Sequence, residues 1–179
     1  MIIIAEWELE INGSVDGIRC FRVIAEEEAP CPCPACGGKL TKKGKRARFL
    51  IRTKKGATED DYFPYEIICL IIQRRKCKKC GKIHHELPDC IVPYKLQSLE
   101  IIEEIINEPK KNTLIDEEIV KRLLTWWALM VAYILQVAPL INEKWQASTA
   151  LEKNLAEIIR TLAHNHMWPG TRTKLTGAT

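Results

Sequence analysis

Two short stretches decide how this chain folds: Cys33-Pro34-Ala35-Cys36-Gly37 and Cys77-Lys78-Lys79-Cys80-Gly81. In each, two thiols sit three positions apart, so both reach one ion only if the backbone curls tightly around it. The glycine after the second cysteine supplies the backbone freedom for that curl, and Pro34 stiffens the first knuckle. Two such pairs present four thiolates, the donor set of a tetrahedral zinc site. The spacing therefore assigns Cys33, Cys36, Cys77 and Cys80 as zinc ligands. The 40 residues between Cys36 and Cys77 hold two strands and a loop, the usual insert of a zinc ribbon. Cys31, His84, His85 and Cys90 flank the pairs and stay open as substitutes for one ligand. Cys20 and Cys69 lie in apolar runs and read as small core residues.

Length and composition agree with a folded protein. With 179 residues, 46% apolar and 28% charged, the chain carries one domain or two small ones. Met1-Ile-Ile-Ile-Ala-Glu6 lacks a basic leader and meets an acid at once. Eight cysteines without a secretory signal fit metal-bound thiols in a reducing cytoplasm rather than a disulfide framework.

The net charge of +4 hides a strong asymmetry. Residues 1–30 sum to −5, residues 31–95 to +10 and residues 96–179 to −1. A basic segment confined to the cysteine region points to a polyanion partner. Zinc on four thiolates carries about −2, so Arg74, Arg75, Lys76, Lys78, Lys79 and Lys82 neutralise part of the site itself. The remainder stays positive. In Arg46-Ala-Arg-Phe-Leu-Ile-Arg52 the arginines fall on one face of a strand and Ala47, Phe49 and Ile51 on the other. The arginine face is expected to be exposed. Lys43, Arg46, Arg48, Arg52, Arg74 and Arg75 are the expected contacts to a nucleic-acid backbone, holding phosphates without reading sequence. Few aromatic residues interleave with these charges, which favours a duplex over a single strand.

The expected organisation is α+β. An N-terminal β extension covers 1–30, with strands at 2–11 and 18–25 split by Asn12-Gly13 and Asp16-Gly17. An antiparallel four-cysteine zinc ribbon covers 31–95, with strands at 46–52 and 66–72 around a polar loop, Lys54 to Pro64. A helical, helix-turn-helix-like domain covers 96–168, and 169–179 forms a flexible tail. Ser98 caps a first helix with Leu99, Ile102, Ile105 and Ile106 on one face. Thr113-x-x-Asp116 opens a long second helix that ends near Pro139, and Thr149-x-x-Glu152 opens a third. Leu123 to Ile141 has no charged residue, and 19 residues reach the lower range of a membrane span. Thr125, Gln136 and Pro139 dilute that run. The expected role is a core helix or one buried between two copies of the chain.

The run from Arg74 to Lys95, with Cys33 to Leu40, resembles an uncharacterised bacterial zinc-ribbon family, a domain of unknown function. It is also similar to the N-terminal zinc-ribbon and helix-turn-helix region of insertion-sequence transposases. The resemblance covers roughly residues 31–127 and ends in Trp126-Trp127. It implies a zinc-bound, DNA-binding accessory protein of a mobile element, acting in transposition or recombination. Asp116-Glu117-Glu118 departs from it, because acids at a helix N-terminus repel phosphate and argue against that helix as a major-groove reader. The competing expectation is a protein-interaction module whose ribbon docks on a larger enzyme. No enzyme is expected: four thiolates leave no open coordination position for water, and no triad, P-loop or dinucleotide fingerprint is visible.

Overall fold

A computed structural model of the chain describes residues 2–4, 7–25, 32–58, 61–109, 115–141 and 154–169. It is α+β. Six strands, β1 (Ile2–Ile4), β2 (Trp7–Val15), β3 (Ile18–Ala25), β4 (Leu40–Thr53), β5 (Tyr65–Cys77) and β6 (Ile83–Pro88), precede three helices. These are α1 (Leu99–Asn107), α2 (Glu117–Ile141) and α3 (Leu155–His164). The chain divides into two compact units with the boundary between Leu99 and Glu100. The first takes in both the 1–30 segment and the cysteine segment.

The first unit is built around β5, whose Ile67, Ile68, Leu70, Ile71 and Ile72 suit a strand covered on both faces. The antiparallel β4 pairs with it along its whole length, from Leu40 opposite Cys77 to Thr53 opposite Tyr65. The other edge of β5 is shared. Parallel β3 pairs at residues 69–71 and antiparallel β6 at residues 74–76. β2 then pairs with β3, and β1 lies parallel to β6. The sheet is thus mixed, where an antiparallel one was expected. The N-terminal hairpin returns alongside β5 instead of extending the ribbon, and this forces a parallel contact.

The β2–β3 turn is made by Asp16 and Gly17, with φ of 51° and 78°, the two positive values of a type I′ hairpin. Asn12-Gly13 does not end the strand as expected. Register shifts there between Ile11 and Ser14, and Gly13 takes φ 91° inside a bulge.

One face of the sheet buries the core of this unit: Phe21, Leu50, Ile68, Leu70, Ile72, Leu87 and Ile91. Leu50 lies between Arg48 and Arg52 on β4, so by strand alternation the arginine face is the core face. The expectation of an exposed arginine face is therefore corrected for Arg48 and Arg52, which are half-buried, while Arg46 at the end of the face is exposed. The outward face carries Ala47, Phe49 and Ile67, the last two 44% and 53% exposed. The physical reason is that long arginine stems can line the rim of a core while their heads find polar partners, so a single leucine among them sets the side.

In the second unit, α1 buries Ile101, Ile102 and Ile105 completely. Asp116 caps α2, its carboxylate accepting from the Glu118 and Ile119 amides. The helix runs through Pro139 and ends at Ile141, close to its expected end. Asn154 caps α3 by accepting from the Glu157 amide at 2.8 Å. The expected capping residues Thr113, Thr149 and Glu152 lie outside the described residues. Met130, Ile134, Val137 and Ala138 of α2 pack with Ile158 and Leu162 of α3. The Tyr133 hydroxyl donates to the Met167 carbonyl at 2.5 Å. By length and composition α2 suffices to cross a membrane, and 22% of its apolar window is buried within the fold.

Candidate metal centre and its basic surroundings

Both cysteine knuckles form the turn that their spacing calls for. In the first, the amides of Cys36 and Gly37 donate to the Cys33 carbonyl at 3.2 and 2.8 Å. In the second, the Gly81 amide donates to the Cys77 carbonyl at 3.1 Å. Gly37 and Gly81 take φ of 68° and 73°, the left-handed region in which an L side chain is strained. Pairing of Leu40 with Cys77, and a 3.0 Å bond from the Lys78 amide to the Lys39 carbonyl, set the knuckles against each other. Gly38 sits where they meet. A Cβ there would lie 2.7 Å from Lys79 Cβ and 2.9 Å from Cys77 Sγ.

The Sγ atoms of Cys33, Cys36, Cys77 and Cys80 all lie within 4.8 Å of one another. Cys36 and Cys77 are 3.5 Å apart, and Cys33 and Cys80 are 3.7 Å apart. A tetrahedral zinc with Zn–S bonds near 2.3 Å separates its sulfurs by about 3.8 Å. The cluster is therefore compatible with a metal ion such as zinc, and an ion there would need little movement of the backbone.

The surroundings favour a thiolate at Cys77. The Cys80 and Lys79 amides donate to Cys77 Sγ at 3.4 and 3.3 Å. Led by the Cys80 amide, they bring the Cys77 pKa from 9.0 down to about 6. Cys36 moves the other way. The Gly38 amide pulls it down, but burial and the three neighbouring thiols outweigh that and push it up to about 11. Four negative sulfurs this close repel one another, and a divalent ion bound among them would supply the compensating charge.

His84 Nε2 lies 3.3 Å from Cys33 Sγ, and the ring is buried. Of the residues left open as substitute ligands, His84 alone has its ring shown against the cluster. His85 lies on the opposite face of β6, Cys90 borders the apolar core, and Cys31 lies outside the described residues. Cys20 and Cys69 are buried opposite each other on the parallel β3–β5 pair.

The expected phosphate contacts separate into two groups. Arg48 Nη2 donates to the Val92 and Lys95 carbonyls at 3.1 and 2.7 Å, tying the 92–95 loop to the sheet. Arg52 pairs with Glu66 at 3.0 Å and lies over the Phe21 ring. Arg19 also pairs with Glu66, and Arg75 pairs with Glu86. Lys43 and Arg46 are exposed, and Arg74 is half-buried. Three of the six expected contacts thus hold the fold together. Single-strand periodicity could place these arginines on a face but could not show which carboxylate or carbonyl waits there. Gly38 carries a requirement that sequence reasoning missed, since only the meeting of the knuckles creates it.

No curated protein and no solved structure matches the chain. One family model does, over residues 33–126, just over half of the sequence. The matched span opens at the first cysteine of the metal cluster and takes in β4 to β6, α1 and the first turns of α2. With its cysteine cage inside that span, the chain belongs to the DUF6431 family, a domain of unknown function.

Proposed function

We propose that this protein is a zinc-stapled platform that binds duplex DNA through its phosphate backbone. The observation that carries the reading is the register of β4 on β5. It sets the first half of β4, with exposed Lys42, Lys43, Lys45 and Arg46, beside the strand that enters the second knuckle. There Lys76, Lys78, Lys79 and Lys82 are exposed as well. Lys76, Lys78 and Lys79 line, with Thr41, Cys77, Cys80 and Gly81, an open recess of about 570 Å³. Zinc in the cluster would be held by Cys33, Cys36, Cys77 and Cys80 and would supply structure, with the lysines carried on a rigid support.

The contact set narrows accordingly. Lys43 and Arg46 stay in it, Lys78, Lys79 and Lys82 join it, and Arg48, Arg52 and Arg75 serve the fold. Such contacts release counterions from DNA, so affinity falls steeply with salt. The test is duplex binding of the zinc-loaded protein across a salt series, repeated with Lys43, Arg46, Lys78 and Lys79 changed to Ala. Binding that weakens with salt, with a shallower slope in the variant, supports the reading. No binding at low salt sinks it. An accessory role in transposition or recombination is supported by the sequence resemblance alone, and a cytoplasmic location by the cysteine usage of the sequence.

A second reading concerns α2. Its Leu135 and Leu140 are 41% and 73% exposed, and Ala128 and Ala132 are exposed as well. This favours a protein-interaction module in which the 123–141 segment meets another chain or a second copy. Sedimentation of the purified protein tests it: a monomer at all concentrations rules out self-association.

A further inference from the structure

The core face of the sheet carries a group of positive side chains that neither the core nor the metal cluster uses. Arg74 lies opposite His85 across the β5–β6 pair and opposite Gly44 across the β4–β5 pair. Arg46, two residues beyond Gly44 on the same face of β4, is the diagonal neighbour of Arg74. The Arg74 guanidinium lies beside Gly44, where a Cβ would meet its Nη2 at 3.6 Å, an ordinary van der Waals contact. Arg74 Nε is shut off from solvent and has no hydrogen-bond partner. A buried donor in that condition is uncommon in a folded protein and asks for an acceptor.

The electrostatics agree. Burial first, and then the charges of Arg46 and Arg74, hold the His85 pKa below its ordinary 6.5. The carboxylates on and beside β5 and β6 are engaged elsewhere. Glu66 binds Arg19 and Arg52, Glu86 binds Arg75 on the opposite face, and Asp89 accepts from the Trp7 indole. Among the described residues, no carboxylate pairs with Arg46, Arg74 or His85.

We propose that Arg46, Arg74 and His85 form an oxyanion pocket that holds one phosphate group. Guanidinium forks match phosphate oxygens in pairs. Arg74 offers its sheltered Nε–H, Arg46 reaches in from the exposed edge, and a ring nitrogen of His85 completes the set from β6. Phosphate is favoured over carboxylate because donors arrive from three neighbouring strands and call for an anion with oxygens on several sides. Where the phosphate comes from DNA, the pocket rests on the duplex-binding reading above. As a site for phosphate itself it stands separately.

The experiment follows the arginine Nε–H resonances of the zinc-loaded, full-length protein by NMR, with Arg74 assigned from Arg74→Met. Inorganic phosphate, a 5′-phosphorylated duplex and the same duplex without terminal phosphate are titrated separately against a chloride control of equal ionic strength. A saturable shift of the Arg74 Nε–H signal, weakened about tenfold in Arg46→Ala and His85→Gln and unchanged in Lys55→Ala, is the expected result. Arg46→Ala alters an exposed residue, which keeps the test valid if Arg74→Met does not fold. A shift with inorganic phosphate but with neither duplex supports the pocket and removes DNA as its source. An Arg74 signal that moves with neither inorganic phosphate nor either duplex overturns the pocket, and duplex binding without that shift spares the duplex-binding reading. Weakening in Lys55→Ala equal to that in the pocket variants also overturns the pocket.

Discussion

The Nε2 atom of His84 lies 3.3 Å from the sulfur of Cys33, and both residues are buried. The contact joins β6 to the first knuckle across 51 residues of sequence. A neutral imidazole donating Nε2–H to a thiolate orients the sulfur and spreads its charge, the part that outer groups play around many metal sites. His84→Ala is expected to weaken zinc binding about 10- to 100-fold, with His84→Gln recovering part of the loss through its amide donor. Competition against a chromophoric chelator measures it. Equal affinities for the wild type and the Ala variant would show that the contact is packing alone.

Gly38 is the second test of the cage. Gly38→Ala places a methyl group 2.7 Å from Lys79 Cβ and 2.9 Å from Cys77 Sγ, and backbone pairing on both sides prevents an easy retreat. The expected outcome is a lower melting temperature and a loss of metal affinity larger than that of Gly56→Ala. Gly56 takes a positive φ, 83°, which Gly38 does not, and has open space at its Cβ position. Thermal melts of both variants with and without zinc separate crowding from backbone strain. A Gly38 variant that melts with the Gly56 variant would refute the close approach.

Zinc binding should release protons and strengthen as pH rises through the neutral range. Cys77 is held down to about 6 and Cys36 pushed up to about 11, so the metal-free cluster near neutral pH keeps part of its thiol protons. The ion must displace them. Calorimetric titrations in buffers of different ionisation enthalpy report the number released. Binding heats that do not depend on buffer would contradict this.

Glu66 links acid stability to the sheet. Although burial raises its pKa, the bonds from Arg19 and Arg52 prevail and lower it below the usual 4.5. A carboxylate whose folded pKa is depressed contributes stability that is present above 4.5 and lost as pH falls through the folded value. Glu66→Gln should cost about 2 kcal/mol near neutral pH, with the gap to wild type closing in strong acid. Urea melts across the acid range check this. A constant gap would place the effect in packing.

Arg48 separates fold from function. Its guanidinium is bonded to the Val92 and Lys95 carbonyls, and burial lowers its pKa. Arg48→Ala should destabilise the first unit by about 1–3 kcal/mol while leaving the salt slope of duplex binding unchanged. Lys43→Ala should do the reverse. A drop in slope with Arg48→Ala would return that arginine to the contact surface.

The knuckles were legible because a Cys-x-x-Cys-Gly pair constrains its own backbone. The ligand spacing and the left-handed glycine are local, and any fold that uses them must curl the same way. The strand pair around Lys54 to Pro64 and the helices after Ser98 were legible for the same reason, since their periodicity lies within each element, while the cap of α3 at Asn154 was not read. Which side of β4 faces inward was not local. It depends on Ile68, Leu70 and Ile72 arriving on the arginine side, and on Glu66 and the 92–95 carbonyls receiving the charged heads. The parallel β3–β5 contact, the seat of His84 on Cys33 and the grouping of Arg46, Arg74 and His85 likewise join residues distant in sequence. Alternation along one strand fixes which residues share a face, but only the neighbouring strands decide what that face meets.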